Sequence, residues 1–173
     1  MIEAARPRRD AAIIDVGGGA SVLVDRLLER GFVHLAVLDV APAALHHAAE
    51  RLGPQGDDVT WIEADILSWQ PVPGLFDLWH DRAVFHFLRD PADQAAYVAV
   101  MRRALGPDAS VILACFAPDG PEKCSGLPVC RHDASSLAAL LGPGFRLEDS
   151  RTEGHTTPSG GSQNFVWCRF RRV

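Results

Sequence analysis

The chain alternates short apolar runs with segments whose apolar residues recur every three or four positions. Five apolar runs of strand length precede residue 117: residues 11–16, 34–39, 60–63, 76–80 and 110–116. Segments with helical periodicity follow most of them: residues 21–30, 42–52, 91–105 and 134–141. Strands that alternate with helices usually pair in parallel, because each helix returns the chain to the same end of the sheet. The pattern therefore predicts an α/β fold with a largely parallel sheet.

Two stretches depart from this alternation. Residues 65–75 contain Pro71, Pro73 and Gly74, which predict a loop rather than a helix before the fourth strand. Residues 145–151 and 164–171 are both strand-like, and the segment 152–163 between them is rich in Gly, Ser and Thr, which predicts a loop. Two strands joined without a helix are expected to pair as an antiparallel hairpin.

Length and composition narrow the class of protein. The 173 residues suit one domain, residues 1–173, in which residues 1–10 form a short N-terminal extension. A formal net charge of −5 provides no basic field for nucleic acid, and no apolar run approaches the roughly 20 residues of a membrane span. The four cysteines lack CxxC spacing, and the N-terminus lacks the apolar core of a secretory signal. These features predict a cytoplasmic protein with reduced thiols.

Polar residues that could bind a ligand or take part in catalysis lie at the ends of four predicted strands. Asp15 precedes Gly17, Gly18 and Gly19 after the first strand, and Asp39 ends the second strand 20 residues after Gly19. Asp65 follows the third strand, and the triplet of residues 80–82, His-Asp-Arg, ends the fourth. In open α/β sheets ligands bind beyond the carboxyl ends of the strands, so we expect these residues to converge on one site.

The glycine run does not match the fingerprint of a nicotinamide dinucleotide. That fingerprint is G-x-G-x-x-G, whereas the sequence here is GGGASV, and the single tyrosine, Tyr97, lies within a predicted helix. An acid directly before the glycines favours an amine or a cation instead. A nicotinamide oxidoreductase is therefore disfavoured.

Four segments together, DVGGGAS, VLDVAPAAL, EADI and FDLWHDR, resemble the class I S-adenosylmethionine-dependent methyltransferases in order and spacing. The resemblance extends from about residue 11 to the C-terminal hairpin. It implies an α/β, doubly wound, mostly parallel seven-stranded sheet with helices on both faces and a C-terminal antiparallel hairpin. It also implies S-adenosylmethionine as cofactor and S-adenosylhomocysteine as product.

The resemblance assigns roles to the residues at the strand ends. Asp15, Gly17, Gly18 and Gly19 would contact the amino-acid part of the cofactor, and Asp39, with Val40 beside it, would bind the ribose hydroxyls. Asp65 and Ile66 would flank adenine, and His80 and its neighbours would lie near the transferable methyl group. We expect a comparatively open cofactor site, or one closed by a second subunit, because no N-terminal lid segment is evident. The oligomeric state stays open.

Methyl transfer needs a nucleophile in line with the S–CH₃ bond and, for some acceptors, a base. The candidates for catalysis are His80, Asp81 and His155, while His86, between aromatic residues, is expected in the core. For Asp81, an ion pair with Arg82 that anchors the strand end is an equally good interpretation. No metal is expected, because Cys124 and Cys130 are spaced as C-x₅-C, unlike the usual zinc sites.

Several functions remain open at this stage. We favour a small-molecule methyl acceptor, since the chain has neither an extra domain nor a basic docking surface. A protein lysine methyltransferase is the alternative within the same reaction class, because residues 81–82 occupy the region that such enzymes use for lysine. The alternative from another class is a non-catalytic module that binds S-adenosylmethionine or S-adenosylhomocysteine and regulates a partner.

Overall fold

The computed structural model describes residues 1–156 and 162–173 and contains a central sheet of seven strands. These strands are β1 (Ala12–Val16), β2 (His34–Asp39), β3 (Val59–Glu63), β4 (Phe76–Arg82), β5 (Leu105–Phe116), β8 (Phe145–Thr156) and β9 (Ser162–Arg172), while β6 (Lys123–Cys124) and β7 (Leu127–Pro128) form a separate small hairpin. The order across the sheet is β3-β2-β1-β4-β5-β9-β8. All neighbours are parallel except those that involve β9, which runs antiparallel to β5 and β8. The α/β fold with a C-terminal antiparallel hairpin is thereby confirmed.

Helices cover both faces of this sheet. They are α1 (Ile2–Ala5), α2 (Leu23–Glu29), α3 (Pro42–Leu52), α4 (Pro91–Ala104) and α5 (Ala134–Leu141). Helices α4 and α5 share one hydrophobic cluster with Ile14, and α2 and α3 share another with Ile13. Successive residues of a strand point to opposite faces of the sheet, so the adjacent residues Ile13 and Ile14 of β1 pack into different clusters.

Several local elements differ from the sequence prediction. Residues 1–10 include the single turn of α1, and Met1, Ile2 and Ala5 pack on the cluster that contains Ile13. Residues 53–58 and 85–87 are short 3-10 helices, and the long loop after β5 contains the β6–β7 hairpin. These segments are too short for hydrophobic periodicity to identify.

The terminal hairpin is longer than predicted. Residues 152–156 and 162–163, expected in a loop, extend β8 and β9 and pair through to Thr156 and Ser162. The remaining residues of that predicted loop, 157–161, lie outside the described residues. Only Phe145 of β8 is buried, so this strand has no apolar run to mark its length in the sequence.

The order of strands reverses between β1 and β4, which are parallel neighbours. β1 leads through α2 to β2 on one side, and β4 leads through α4 to β5 on the other. The connections therefore diverge at the carboxyl ends of β1 and β4 and leave a crevice between them. Within the described part of the chain, no helix is both long and apolar enough to cross a membrane.

Candidate functional site

The turn after β1 places backbone at the mouth of this crevice. Gly17 has a φ of +68°, and its amide donates to the carbonyl of Leu38 at 2.7 Å. A Cβ on Gly17 would lie 2.0 Å from Cγ2 of Val84, on the segment that follows β4. Gly19 also has a positive φ, of +40°. Only glycine combines this backbone conformation with such close approach, so the sequence of the turn is dictated by geometry.

Asp15 and His80 form a hydrogen-bonded pair at the centre of the site. They are register partners on β1 and β4, and Asp15 Oδ1 lies 2.7 Å from His80 Nδ1. Both residues are buried, with 5% and 7% of their surface exposed. A carboxylate beside Nδ1 holds the proton on that nitrogen, so the Nε2 atom of a neutral His80 is an acceptor.

Asp39 lies at the end of β2 with its carboxylate against the glycine turn. Its Oδ1 atom accepts from the amide of Ala41 at 2.9 Å, and Oδ2 lies 2.8 Å from where a Cβ of Gly19 would stand. Asp39 does not cap the helix that follows it, because the N-cap of α3 is Ala41. One carboxylate oxygen is thus committed to the local turn while the other faces the crevice.

Asp65 and Ile66 begin the segment after β3. Asp65 Oδ1 accepts from the amide of Leu67 at 2.9 Å, and its carbonyl accepts from the amides of Ser68 and Trp69. Ile66 is buried at 7% exposure, whereas Val40, after β2, is 70% exposed. Asp65 therefore stabilises a turn that presents Ile66 to the crevice.

Two hollows occupy the crevice. The β3 hollow, of about 480 Å³, is lined by residues that include Val40, Asp65, Ile66 and Phe87. The β8 hollow, of about 770 Å³, is lined by residues that include Asp15, Gly18, His80, Glu153, His155 and Trp167. Three residues line both hollows: Gly17, Asp39 and Arg82. The two hollows therefore adjoin across the glycine turn, in the volume range typical of small-ligand sites.

Asp81, predicted near the reacting groups, is instead fully buried and lines neither hollow. Its carboxylate accepts from the amides of Val84 and Phe85 at 2.8 and 3.0 Å and from the Tyr97 hydroxyl at 2.5 Å. Burial raises the pKa of Asp81 to about 6, although these hydrogen bonds act in the opposite direction. There is no ion pair with Arg82 among the described residues. Asp81 fixes the backbone that carries Val84 against the glycine turn.

His86 is also in the core, as the sequence suggested. Its ring is fully buried beside Phe87 and Phe116, and its Nδ1 atom lies 3.4 Å from the amide of Phe116. Burial and, to a lesser extent, the neighbouring His132 lower the pKa of His86 to about 4. The Nε2 atoms of His86 and His132 have no hydrogen-bond partner among the described residues. Both rings are therefore held as neutral imidazoles.

The β8 hollow includes residues that the sequence did not reveal. His155, a predicted candidate, is exposed near the end of β8, but Glu153, two positions earlier, and Trp167, on β9, line the same hollow. The centroids of the Trp167 and His80 rings are 6.0 Å apart. Glu153, His155 and Trp167 lie on one face of the hairpin, as the register of β8 and β9 shows. The sequence did not reveal this register, because residues 152–163 were predicted to form a loop.

Among the described residues, no group of three or more His, Cys, Asp or Glu side chains is arranged to hold a metal ion. Cys124 and Cys130 are free thiols in the segment after β5, and the buried Cys115 in β5 and Cys168 in β9 are also free thiols. The polar groups of the site are therefore carboxylates, imidazoles, the guanidinium groups of Arg26 and Arg82, and glycine backbone.

Comparison with known proteins gives one family and many similar structures. Residues 13–108, more than half of the chain, match the model of a family described as methyltransferase domain. No curated protein sequence matches the chain significantly.

Solved structures resemble the whole fold at low sequence identity. A S-adenosylmethionine-dependent methyltransferase from Methanosarcina mazei has a TM-score of 0.81 at 16% identity, covering 99% of this chain and 97% of that one. The 1,6-didemethyltoxoflavin-N1-methyltransferase of Burkholderia thailandensis was solved with 1,6-didemethyltoxoflavin and S-adenosylhomocysteine. It has a TM-score of 0.74 at 22% identity, and the match covers 95% of this chain and 72% of that one. The N-methyltransferase NodS of Bradyrhizobium japonicum, solved with S-adenosylhomocysteine, has a TM-score of 0.70 at 18% identity, and the match covers 94% of this chain and 79% of that one.

Proposed function

Because the chain belongs to the class I S-adenosylmethionine-dependent methyltransferases, we propose that it transfers a methyl group to a small-molecule nucleophile bound in the β8 hollow. The cofactor is S-adenosylmethionine, as in the similar structures solved with S-adenosylhomocysteine. The observation that carries the proposal is that the two hollows meet at Gly17, Asp39 and Arg82. One elongated ligand can therefore pass across the glycine turn and leave space beside His80 for a second, smaller one.

The residues present suit this cofactor. The free carboxylate oxygen of Asp39, Oδ2, faces the crevice beside Gly19, where it would accept hydrogen bonds from ribose hydroxyls. Val40 and Ile66 offer apolar contacts for adenine in the β3 hollow, next to Asp65. Asp15 and the glycine turn would hold the amino-acid part. When bound, S-adenosylmethionine supplies a methyl group activated by a positively charged sulfur, and the site's carboxylates favour such a cation.

His80 is the proposed base. Asp15 holds its Nδ1 proton and fixes the ring, which leaves the Nε2 lone pair to take a proton from the acceptor's nucleophile. The nucleophile's lone pair would take up the methyl group that bound S-adenosylmethionine supplies, and the electron pair of the broken carbon–sulfur bond would leave with S-adenosylhomocysteine. The proton then passes from Nε2 to solvent. His155, at the rim of the same hollow, is a second candidate for contact with the acceptor.

A small acceptor fits the site better than a protein side chain. The β8 hollow, at about 770 Å³, is of small-molecule size, and Asp81, in the region that protein lysine methyltransferases would use for lysine, is buried in the core. Small-molecule methylation is also the activity named for the Burkholderia thailandensis enzyme. We further infer a cytoplasmic location, as expected for a chain whose four cysteines are free thiols.

The test is transfer of labelled methyl groups from S-adenosylmethionine into a fractionated cell extract. We expect label in the small-molecule fraction with the wild type, and none with His80→Ala, which should still bind S-adenosylhomocysteine. Label confined to proteins would instead identify a protein methyltransferase. Tight cofactor binding with no transfer to either fraction would favour the non-catalytic binding module.

A further inference from the structure

Arg82 stands at the junction of the two hollows. It is the last residue of β4, it lines both hollows, and its side chain is exposed. Its neighbours His80 and Trp167 lie on the same face of the sheet, because Arg82, Ala114 and Trp167 are successive register partners across β4, β5 and β9. The guanidinium therefore projects beside the region proposed for the acceptor.

This guanidinium has no carboxylate partner among the described residues. Its central carbon lies 5.1 Å from the centroid of the Phe165 ring, so its face packs on an aromatic surface. The other arginine of the β8 hollow, Arg26, pairs with Glu29 at 2.9 Å. Glu153, an acid of β8 that lines the same hollow, pairs with Arg151 at 3.3 Å. Arg26 and Glu153 therefore each have a partner of opposite charge, whereas Arg82 does not.

A guanidinium packed through its face keeps its N–H edges available. Those edges match a carboxylate or phosphate in bidentate geometry, which is the strongest charge-assisted hydrogen bond that a side chain offers. A free cation beside a positively charged sulfur is unfavourable by itself, and an anionic group supplied by the acceptor would offset that repulsion.

We propose that Arg82 binds an anionic group of the methyl acceptor, so that the substrate is an acidic small molecule whose nucleophilic atom lies next to His80. This inference rests on the proposed function. It would also disfavour a lysine side chain as acceptor, because Arg82 repels an ammonium group at the same place. Arg82 acts here as a specificity residue, while His80 serves any acceptor.

The experiment uses probe pairs of the same size and shape in which an anionic carboxylate is replaced by an uncharged carboxamide: 4-aminobenzoate with 4-aminobenzamide, and 4-mercaptobenzoate with 4-mercaptobenzamide. Their binding to the protein loaded with S-adenosylhomocysteine is measured by calorimetry, and their methylation is measured with labelled cofactor. The variants are Arg82→Gln and Arg82→Lys. The matched control is Arg9→Gln, because the Arg9 guanidinium lies 4.9 Å from the Phe32 ring centroid in the same packing mode but outside both hollows.

We expect each acid to bind wild type about tenfold or more tightly than its amide, as one charge-assisted pair would give. This preference should vanish in Arg82→Gln, persist in part in Arg82→Lys and be unchanged in Arg9→Gln, with S-adenosylhomocysteine affinity unaltered throughout. Equal binding of acid and amide, or no binding of either, overturns the proposal. So does a loss of S-adenosylhomocysteine affinity in Arg82→Gln with the preference intact, which would assign Arg82 to the cofactor's own carboxylate. A wild type that does not bind S-adenosylhomocysteine would instead defeat the proposed function.

Discussion

Replacing Tyr97 with phenylalanine should destabilise the protein while leaving cofactor binding intact. The Tyr97 hydroxyl donates to Asp81 Oδ2 at 2.5 Å and accepts from the indole nitrogen of Trp79 at 2.9 Å. All three side chains are fully buried, so water cannot replace the missing oxygen. The change leaves a buried indole N–H without an acceptor and removes one of the three donors to the Asp81 carboxylate.

The magnitude follows from those two losses. A buried polar group left without its partner costs about 1–3 kcal/mol, so the variant should lose about 2 kcal/mol or more of its free energy of unfolding. For a chain of this size that corresponds to a fall in Tm of roughly 4–8 °C.

The loss should also depend on pH. Burial holds the folded pKa of Asp81 at about 6, above the ordinary value of 3.8, so the stability linked to its protonation is complete below that ordinary value and is lost as the pH rises through 6. The hydrogen bond from Tyr97 lowers this pKa, and its removal raises the pKa further. The deficit of the variant should therefore grow from about pH 5 to about pH 8.

The assay is chemical denaturation at both pH values, followed by circular dichroism, with calorimetric binding of S-adenosylhomocysteine. Ser135→Ala is the matched control, because it removes a hydroxyl that donates to the exposed Asp133 carboxylate at 2.7 Å. That control should lose little stability. A Tyr97→Phe protein as stable as wild type but unable to turn over its substrate would refute this account and assign the hydroxyl to catalysis.

Three further predictions address the site and the core. Gly17→Ala should abolish S-adenosylhomocysteine binding, because its Cβ would lie 2.0 Å from Val84. Gly31→Ala is the control: it has a similar positive φ but nothing within 4 Å of its Cβ, so it should cause backbone strain only. Equal losses of S-adenosylhomocysteine affinity in the two variants, measured by calorimetry, would contradict this. Asp39→Ala should weaken S-adenosylhomocysteine about tenfold or more through lost charge-assisted hydrogen bonds, and normal affinity would show that the ribose is held elsewhere. Because the pKa of His86 is lowered from 6.5 to about 4, the stability that depends on its neutral form is present above 6.5 and is lost as the pH falls, by about 2 kcal/mol between pH 7 and 5. In denaturation experiments, the free energy of unfolding of the His86→Gln variant should depend less on pH than that of the wild type. Parallel pH profiles of the two proteins would contradict this role of His86.

The parts of the site that lie at strand ends were predictable from the sequence. The glycine turn, Asp39 and Asp65 follow apolar runs, and parallel strands bring all their carboxyl ends to one edge of the sheet. Local sequence therefore fixes both the identity and the approximate location of these residues. The same logic predicted the absence of a helix between β3 and β4, where prolines interrupt the chain.

The direction of each side chain in the triplet of residues 80–82 was not predictable. Alternation along β4 sends two of them to one face and Asp81 to the other, but all three are polar, so the hydrophobic pattern does not reveal which face is buried. The partner that accommodates Asp81 is Tyr97, on a helix 16 residues later. The effect of His132 on the pKa of His86 and the extension of β8 along the site likewise depend on residues that are distant in sequence.

The crevice at the carboxyl ends of β1 and β4 is the proposed binding site of S-adenosylmethionine. The most direct test is calorimetric titration of the purified, folded protein with S-adenosylmethionine, S-adenosylhomocysteine and, as the control, NADH. We predict saturable binding of both sulfur ligands, with one site per chain, and none of NADH. Failure of both sulfur ligands to bind, or equal binding of NADH, would contradict the account.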